Sequence, residues 1–403
     1  MNQKGLTGYF EKFIDENLIF KNKKSLQTTY TPESILHRDH QINEVASILA
    51  PALKEEKPSN LFIYGKTGTG KTLTIKHITQ NMFNIANQRN ISMKTIYLNC
   101  KMKRIADTEY RIIAQIIKEL GEEVPYTGLP TDEVYNKFFR IIKKTNTKTM
   151  IILLDEIDQL IKKAGDEVIY NLTRINSELP NIQISLVGIS NNLLFTDNMD
   201  PRVRSSLSEE EIVFPPYNAL QLQDILKKRS DEAFIDGVIE NGVIAKCAAY
   251  SAREHGDARR ALELLRVAGE LAERAGISKV RIDHIDRAEE KIEKERILEI
   301  VKTQPKQSQV TLLSLIHLLD KNKRKIFTGD VYELYKKLCT KTDLRPLTQR
   351  RISDIIGELD MLGIINATVI SKGRYGRTRE INSDINNTLK QKIKAILSSE
   401  LNL

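Results

Sequence analysis

Gly65-Lys66-Thr67-Gly68-Thr69-Gly70-Lys71-Thr72 sets three glycines, an amine and a hydroxyl in the spacing G-x-x-x-x-G-K-[ST]. Glycines let successive backbone N–H groups turn inward onto phosphate oxygens. The positive end of the following helix adds to that field. Lys71 is expected to neutralise the β- and γ-phosphates, and the Thr72 hydroxyl to ligate Mg²⁺. Further on, "IILLDEID" carries Asp155 and Glu156 at the end of an apolar run. Asp155 emerges where α/β sheets bind ligands and is expected to hold Mg²⁺ directly or through water. Glu156 is placed to polarise an attacking water, which implies hydrolysis of a nucleoside triphosphate rather than phosphoryl transfer to a small molecule. Chance alternatives are a glycine-rich turn and a helix-capping acidic pair.

Three more groups suit the same chemistry. Asn191, in "VGISNN", could orient the water or the γ-phosphate, or be a turn asparagine. Arg202 and Arg204, in "DPRVRSS", are candidates for a finger toward a neighbouring subunit, although surface arginines are common. Arg259, in "GDARRA", opens a long helix, where a cation opposes the helix dipole and so invites a functional reason. A distinct chemistry is expected near the C-terminus. "SKGRYGRTREI" gathers Lys372, Arg374, Arg377 and Arg379 around Gly373, Tyr375 and Gly376. A glycine-hinged basic hairpin fits phosphates or a minor groove. Before it, "TQRRISDIIGELDMLGII" reads as a helix with Ile352, Ile355, Ile356 and Leu359 inward. Gln349, Arg350, Arg351 and Ser353 lie near its start, the part that faces base edges in helix-turn-helix docking. The competing reading is a solvated hairpin in a protein-interaction module.

These residues need elements to hold them. "SNLFIYG", 94–99, 149–158 and 182–190 read as strands, with helices at 71–89, 108–120, 131–145 and 165–178 between them. That alternation predicts an α/β layer with a parallel sheet. "FPPYN" at 214–218 ends the strand pattern, and amphipathic helices follow. The last part reads as helices at 308–320, 328–340 and 347–362, then a strand and ribbon, which suits a winged helix. The expected organisation is an α/β nucleotide-binding core over 1–216, a small all-helical domain over 217–295 and a winged-helix domain over 296–403. Residues 1–30 read as a loosely tethered arm.

The chain has 403 residues, 40% of them hydrophobic and 29% charged, which fits a globular protein. No apolar run approaches the roughly 18 residues of a membrane helix. The start shows no signal-peptide pattern, and Cys100, Cys247 and Cys339 show no metal spacing, so a cytoplasmic protein with reduced thiols is expected. Net charge is +9, and residues 296–403 hold 20 Lys and Arg against 11 Asp and Glu, so the whole surplus sits there. A positive field on one module points to nucleic acid or anionic lipid, or to a solvated lysine-rich face.

With Lys71, Thr72, Asp155, Glu156, Asn191 and "GDARRA" in this order, the chain resembles the AAA+ ATPases. More narrowly it is similar to the archaeal replication initiators related to the origin recognition complex and the cell-division-control helicase loaders. The resemblance covers nearly the whole chain. It implies an AAA+ core, a helical lid and a DNA-binding winged helix, with ATP or ADP and Mg²⁺ as ligands. Gly65, Thr67, Gly68, Thr69, Gly70 and Leu73 are then expected in the nucleotide site with Lys71 and Thr72. So are Tyr217, Arg259 and, through the "HRDHQI" region, Arg38. Residues 101–135 resemble the family's helical insertion, which touches DNA, and Arg202 matches its finger-like position. Implied partners are origin duplex DNA, an MCM-type replicative helicase and further initiator subunits, with no membrane; the implied location is on the nucleoid. A signalling or transcriptional switch ATPase and a clamp-loader subunit are the competing classes.

Overall fold

Met150-Ile151-Ile152-Leu153-Leu154 is apolar at every position because both faces of its strand are covered. The structure, a computed structural model, describes residues 19–403 other than 103–106, 126–127, 146, 180, 193–198, 208, 321–325, 372–376, 384 and 386. The chain divides into two compact units, Met1–Ile285 and Asp286–Leu403.

The first unit is built on a five-stranded parallel sheet. Its strands are β1 (Asn60–Tyr64), β2 (Met93–Asn99), β3 (Thr149–Asp155), β4 (Gln183–Ser190) and β5 (Glu209–Val213), in the order β2-β3-β4-β1-β5. The period-2 alternation of strand side chains sorts the core into two layers. Phe62, Ile96, Leu98, Ile152, Leu154 and Leu186 face α3 (Glu109–Glu119), α4 (Thr131–Lys144), α5 (Ile157–Ala164) and α6 (Glu167–Glu178). Leu61, Ile63, Ile151, Leu153, Val187 and Ile189 face α1 (Asp39–Leu49) and α2 (Lys71–Gln88). Because all five strands run the same way, Gly65, Asp155, Asn191 and Phe214 emerge at one edge of the sheet. That edge is where the chemistry expected from the sequence converges.

Two boundaries differ from expectation. The strand read as 149–158 stops at Asp155, and α5 begins at Ile157. β5, sequence EEEIV, was not anticipated, since three glutamates are poor strand formers. It forms because β1 offers an open edge, and its charges suit an edge strand that must not pair further.

After the short helix α7 (Pro201–Leu207) and β5, the lid consists of α8 (Ala219–Ala233), α9 (Val243–Arg253) and α10 (Ala258–Arg274). Asn218 and Gln221 cap α8 reciprocally, and Asp257 caps α10 by accepting from the Arg259 and Arg260 amides. Residues 19–30 are not the loose arm expected from their polarity. Ile19, Phe20 and Leu26 are buried, and the Phe20 ring lies 4.7 Å from that of Phe234. Lys21 and Asn22 both donate their amides to Ala233 O, at 2.9 and 3.0 Å. Gly269 makes the seat, since a Cβ there would stand 2.5 Å from the Phe20 ring. Burial of three large apolar side chains, each worth about 1.5–3 kcal/mol, outweighs the lysines that flank them.

The second unit begins inside α11 (Ile282–Thr303). It contains α12 (Lys306–Asp320), β6 (Ile326–Phe327), α13 (Thr328–Lys341), α14 (Gln349–Met361), β7 (Asn366–Ser371), β8 (Arg377–Asn382) and α15 (Asn387–Glu400). The strands pair antiparallel in the order β6-β8-β7, giving helices beside a small sheet: a winged helix, as expected. Ile352, Ile355, Ile356 and Leu359 of α14 are buried in its core, on the face assigned to them. α15 was not foreseen; Leu389, Ile393 and Leu397, four apart, bury one stripe against that core. Among the described residues no helix is long and apolar enough to cross a membrane. All three cysteines are buried and none is in a disulfide.

Candidate nucleotide site and nucleic-acid face

Between β1 and α2 the chain turns through Gly68 (φ 69°) and Gly70 (φ 90°), left-handed conformations that glycine adopts without strain. At Gly68 a Cβ would collide with the Asp257 carboxyl, so the loop and the start of α10 are in close contact. Ala258 N also donates to Gly68 O at 3.2 Å. Thr69 is fully buried, its hydroxyl donating to Lys66 O at 2.9 Å.

Lys71, at the first turn of α2, is buried. Its Nζ donates to Gly65 O at 2.6 Å, Lys66 O at 2.8 Å and Asn191 Oδ1 at 2.9 Å. Burial pulls its pKa down to about 8, against the opposing pull of Asp155. Arg259, exposed at the start of α10, is close enough to lower it further. Thr72 Oγ1 donates to Asp155 Oδ2 at 3.0 Å, and Tyr97 OH donates to the same oxygen at 2.7 Å. The other Asp155 oxygen accepts from Glu156 N at 3.0 Å, which fixes the carboxylate plane. Glu156 itself has φ 55°, an uncommon conformation for a non-glycine residue, and its carboxylate lies 3.7 Å from Lys101 Nζ.

These groups line a cavity of about 550 Å³. One end holds Thr67, Gly68, Thr69, Gly70, Lys71, Thr72, Leu73, Asp155, Glu156 and Asn191. Tyr217 and Arg259 are also in its wall. The size fits a nucleotide. Mg²⁺ typically takes one or two protein groups and completes its shell with phosphate and water, and Thr72 with Asp155 fits that role. No cluster of three or more His, Cys, Asp or Glu side chains suited to a metal occurs among the described residues.

Three expected contributors stand apart from the cavity. Arg38 is buried but does not line it. Its Nε donates to Thr69 O at 3.0 Å and its Nη2 to Pro215 O at 2.6 Å, with the guanidinium 3.8 Å from the Tyr217 ring centre. It braces the phosphate loop from behind. Gly65 packs under Phe214, where a Cβ would be 2.5 Å from the carbonyl oxygen. Arg202 is far more exposed, with Nε and Nη2 on the Asp200 carboxylate at 3.2 and 3.1 Å, and is absent from this cavity's lining. Further lining residues were missed by sequence reasoning: 27–32, 34–36, Ile225, Arg229 and Leu262. Nothing in "TTYTPES" marks them, and "LKKRSDEAF" reads only as part of an amphipathic helix. Tyr97 was also missed; its alternation with Asn99 along β2 was the available signal.

In the winged helix, Gln349, Arg350 and Arg351 are exposed at the N-terminal end of α14, and Ser353 is half-buried. Thr348 caps the helix by accepting from Arg351 N. Arg351 Nη1 lies 3.3 Å from Glu358, whereas Arg379 rests its guanidinium against α14 at Gly357, where a Cβ would stand 3.0 Å away. Arg377 opens β8 opposite Ser371. Lys372, Gly373, Arg374, Tyr375 and Gly376 lie outside the described residues.

Comparison with known proteins agrees with this division. Residues 54–194 match the family described as AAA domain, 223–290 the Cdc6 AAA+ ATPase-type lid domain, and 299–390 the CDC6 C-terminal winged helix domain. The ORC1-type DNA replication protein of Thermococcus onnurineus is 54% identical over 389 residues, 96% of this chain and 93% of that protein. Its counterpart from Pyrococcus abyssi is 55% identical over 380 residues, 93% and 90% of the two chains. Among solved structures, the Aeropyrum pernix ORC1 protein in complex with DNA matches with a TM-score of 0.81 and 44% identity, over 96% of this chain and 98% of that one.

Proposed function

We propose a replication-initiator function for this chain, which belongs to the archaeal ORC1-type DNA replication proteins and carries their AAA+ core, Cdc6-type lid and winged helix. It binds origin duplex DNA, and ATP with Mg²⁺ in the first unit switches its assembly state. The observation that carries this reading is the likeness to a DNA-bound ORC1 over nearly the full chain. The exposed Gln349, Arg350 and Arg351 and the basic surplus of the second unit support it locally.

The chain's own residues divide the work. The backbone of 67–70 and Lys71 bind the phosphates, and Thr72 and Asp155 would hold Mg²⁺, which when bound would supply charge neutralisation. Glu156 takes the proton of the attacking water. Asn191, bonded to Lys71, reports whether the terminal phosphate is present. Arg259 sits on the lid helix whose first amide bonds the phosphate loop, so the same few atoms touch both phosphate and lid. Arg202 serves a neighbouring subunit's nucleotide from the exposed α7. Hydrolysis is slow and switch-like, and the output is recruitment of an MCM-type helicase. Residues 101–135 and the wing, Lys372 to Arg379, supply the rest of the DNA grip.

Salt dependence tests the DNA arm. If Arg350 or Arg374 contacts phosphate, each alanine variant weakens binding across sequences and reduces the log–log salt slope by about 1. A variant that leaves both affinity and slope unchanged takes that residue out of the DNA face. If Arg350 reads a base edge instead, its loss relaxes sequence preference while the slope stays.

A further inference from the structure

Arg229 of α8 is 5% exposed, yet its Nε and Nη1 atoms have no hydrogen-bond partner among the described residues. It lines the nucleotide cavity, with Tyr30, Ile35, Ile225 and Leu262. Two buried guanidinium nitrogens without hydrogen bonds are costly: desolvation lowers the pKa, and the attraction of the nearby Glu232 offsets only part of that. What covers it is a ring. The Tyr30 centroid lies 4.3 Å from Arg229 Cζ, and the Tyr30 hydroxyl is anchored to Glu232 Oε2 at 2.9 Å, one turn along the same helix. The segment bearing Tyr30 is fastened along one stripe of α8. His37 bonds Asp224 at 2.9 Å, Ser34 meets Lys228, and Tyr30 meets Glu232, each partner four residues after the last. Ile225 and Arg229, also four apart, present the neighbouring stripe to the cavity.

We propose that Arg229 is the residue that recognises the nucleoside end of the nucleotide, its two unpartnered N–H groups donating to an acceptor on the base or the ribose. The inference rests on the nucleotide-site reading above and concerns a residue of that cavity outside the phosphate-loop motif. Guanidinium donates and cannot accept, so the ligand must bring a ring nitrogen, a carbonyl or a hydroxyl oxygen. Ile35, Ile225 and Leu262 supply the apolar walls that a flat base needs. Tyr30 and Arg229 together form a stacked platform, and ligand entry brings the donors their acceptor by shifting Tyr30. Residues 27–36, fastened to α8, thereby make the nucleoside contact part of the lid.

Three ligands separate this from the phosphate reading: ATP, ribose 5-triphosphate and inorganic tripolyphosphate, measured on the full chain by calorimetry with Mg²⁺ present. Arg229→Met is expected to weaken ATP at least tenfold and to leave tripolyphosphate within twofold. Loss of ribose 5-triphosphate affinity as well places the acceptor on the ribose; its retention places it on the base. Arg229→Lys, which keeps the charge and N–H donors but not the planar fork at Nε and Nη1, is expected to recover only part of the lost ATP affinity. The unliganded melting temperature of Arg229→Met is expected to stay level or rise, because the incompletely compensated charge is gone. Unchanged ATP affinity in Arg229→Met overturns the proposal. So does an equal loss for all three ligands with a lowered melting temperature, which is the signature of a structural residue. Wild-type protein that binds none of the three overturns the nucleotide-site reading instead.

Discussion

Lys71→Ala is expected to raise the dissociation constant for ATP about a hundredfold, matching the roughly 3 kcal/mol typical of removing one partner of a buried charged contact. Three acceptors already surround Nζ within 2.9 Å: two loop carbonyls and Asn191. The amine is therefore pre-positioned, and little ordering remains when phosphate arrives. Its pKa of about 8 leaves most molecules charged at neutral pH, and phosphate oxygens would raise it again. The fold should not suffer. The folded pKa lies below the ordinary value of 10.5, so the unfolded chain holds more protons between about pH 8 and 10.5, and stability rises with pH across that window. Below it, the buried ammonium opposes folding, and alanine removes that opposition. Calorimetry and a melting curve at pH 7 read both effects. An ATP affinity within tenfold of wild type would mean that the phosphate cradle is misassigned.

Glu156→Gln is expected to slow ATP hydrolysis about 10²- to 10⁴-fold, the usual worth of a general base, while ATP binding stays within a few-fold. The amide keeps the shape of the carboxylate but cannot take a proton from water. Asp155, not Glu156, shares the metal position with Thr72, so the binding groups are untouched. The left-handed backbone at Glu156 stays as it is, because glutamine costs no more there than glutamate. Single-turnover hydrolysis and nucleotide affinity on one preparation separate the two quantities. A variant that still hydrolyses at near wild-type rate would move the base elsewhere; a variant that no longer binds ATP would make Glu156 a binding group.

The phosphate end of the site was legible because its chemistry depends on local spacing. Glycines, lysine and threonine occupy eight consecutive positions, and Asp155 ends a strand whose apolar run announces it. The nucleoside end was not legible, because it is assembled from distant polar segments. Tyr30 and Arg229 meet only after residues 19–38 fold back on α8, and the amphipathic pattern of that helix does not show which polar side chain turns inward. Phe20, which ends the short run Leu18-Ile19-Phe20, and Leu26, between Ser25 and Gln27, carry the packing that makes this happen. β5 and β6 escaped for a similar reason: each forms by completing a sheet edge rather than by its own propensity. α15 carries an ordinary amphipathic stripe and was overlooked although the spacing of Leu389, Ile393 and Leu397 shows it. Arg38 is buried against the phosphate loop without lining the cavity, since sequence identifies a region but not which way a buried guanidinium turns.

The central claim is that nucleotide state governs the grip on DNA, and reciprocity gives it a direct test. Glu156→Gln keeps ATP intact long enough to measure duplex affinity at one fixed salt concentration, with saturating ATP and then with saturating ADP. The expected result is a difference of at least fivefold, a coupling of about 1 kcal/mol, with the same ratio appearing when nucleotide affinity is measured with and without DNA. Duplex affinities equal within twofold in the two nucleotide states would contradict it, and would leave a DNA-binding protein and an ATP site in one chain without energetic communication.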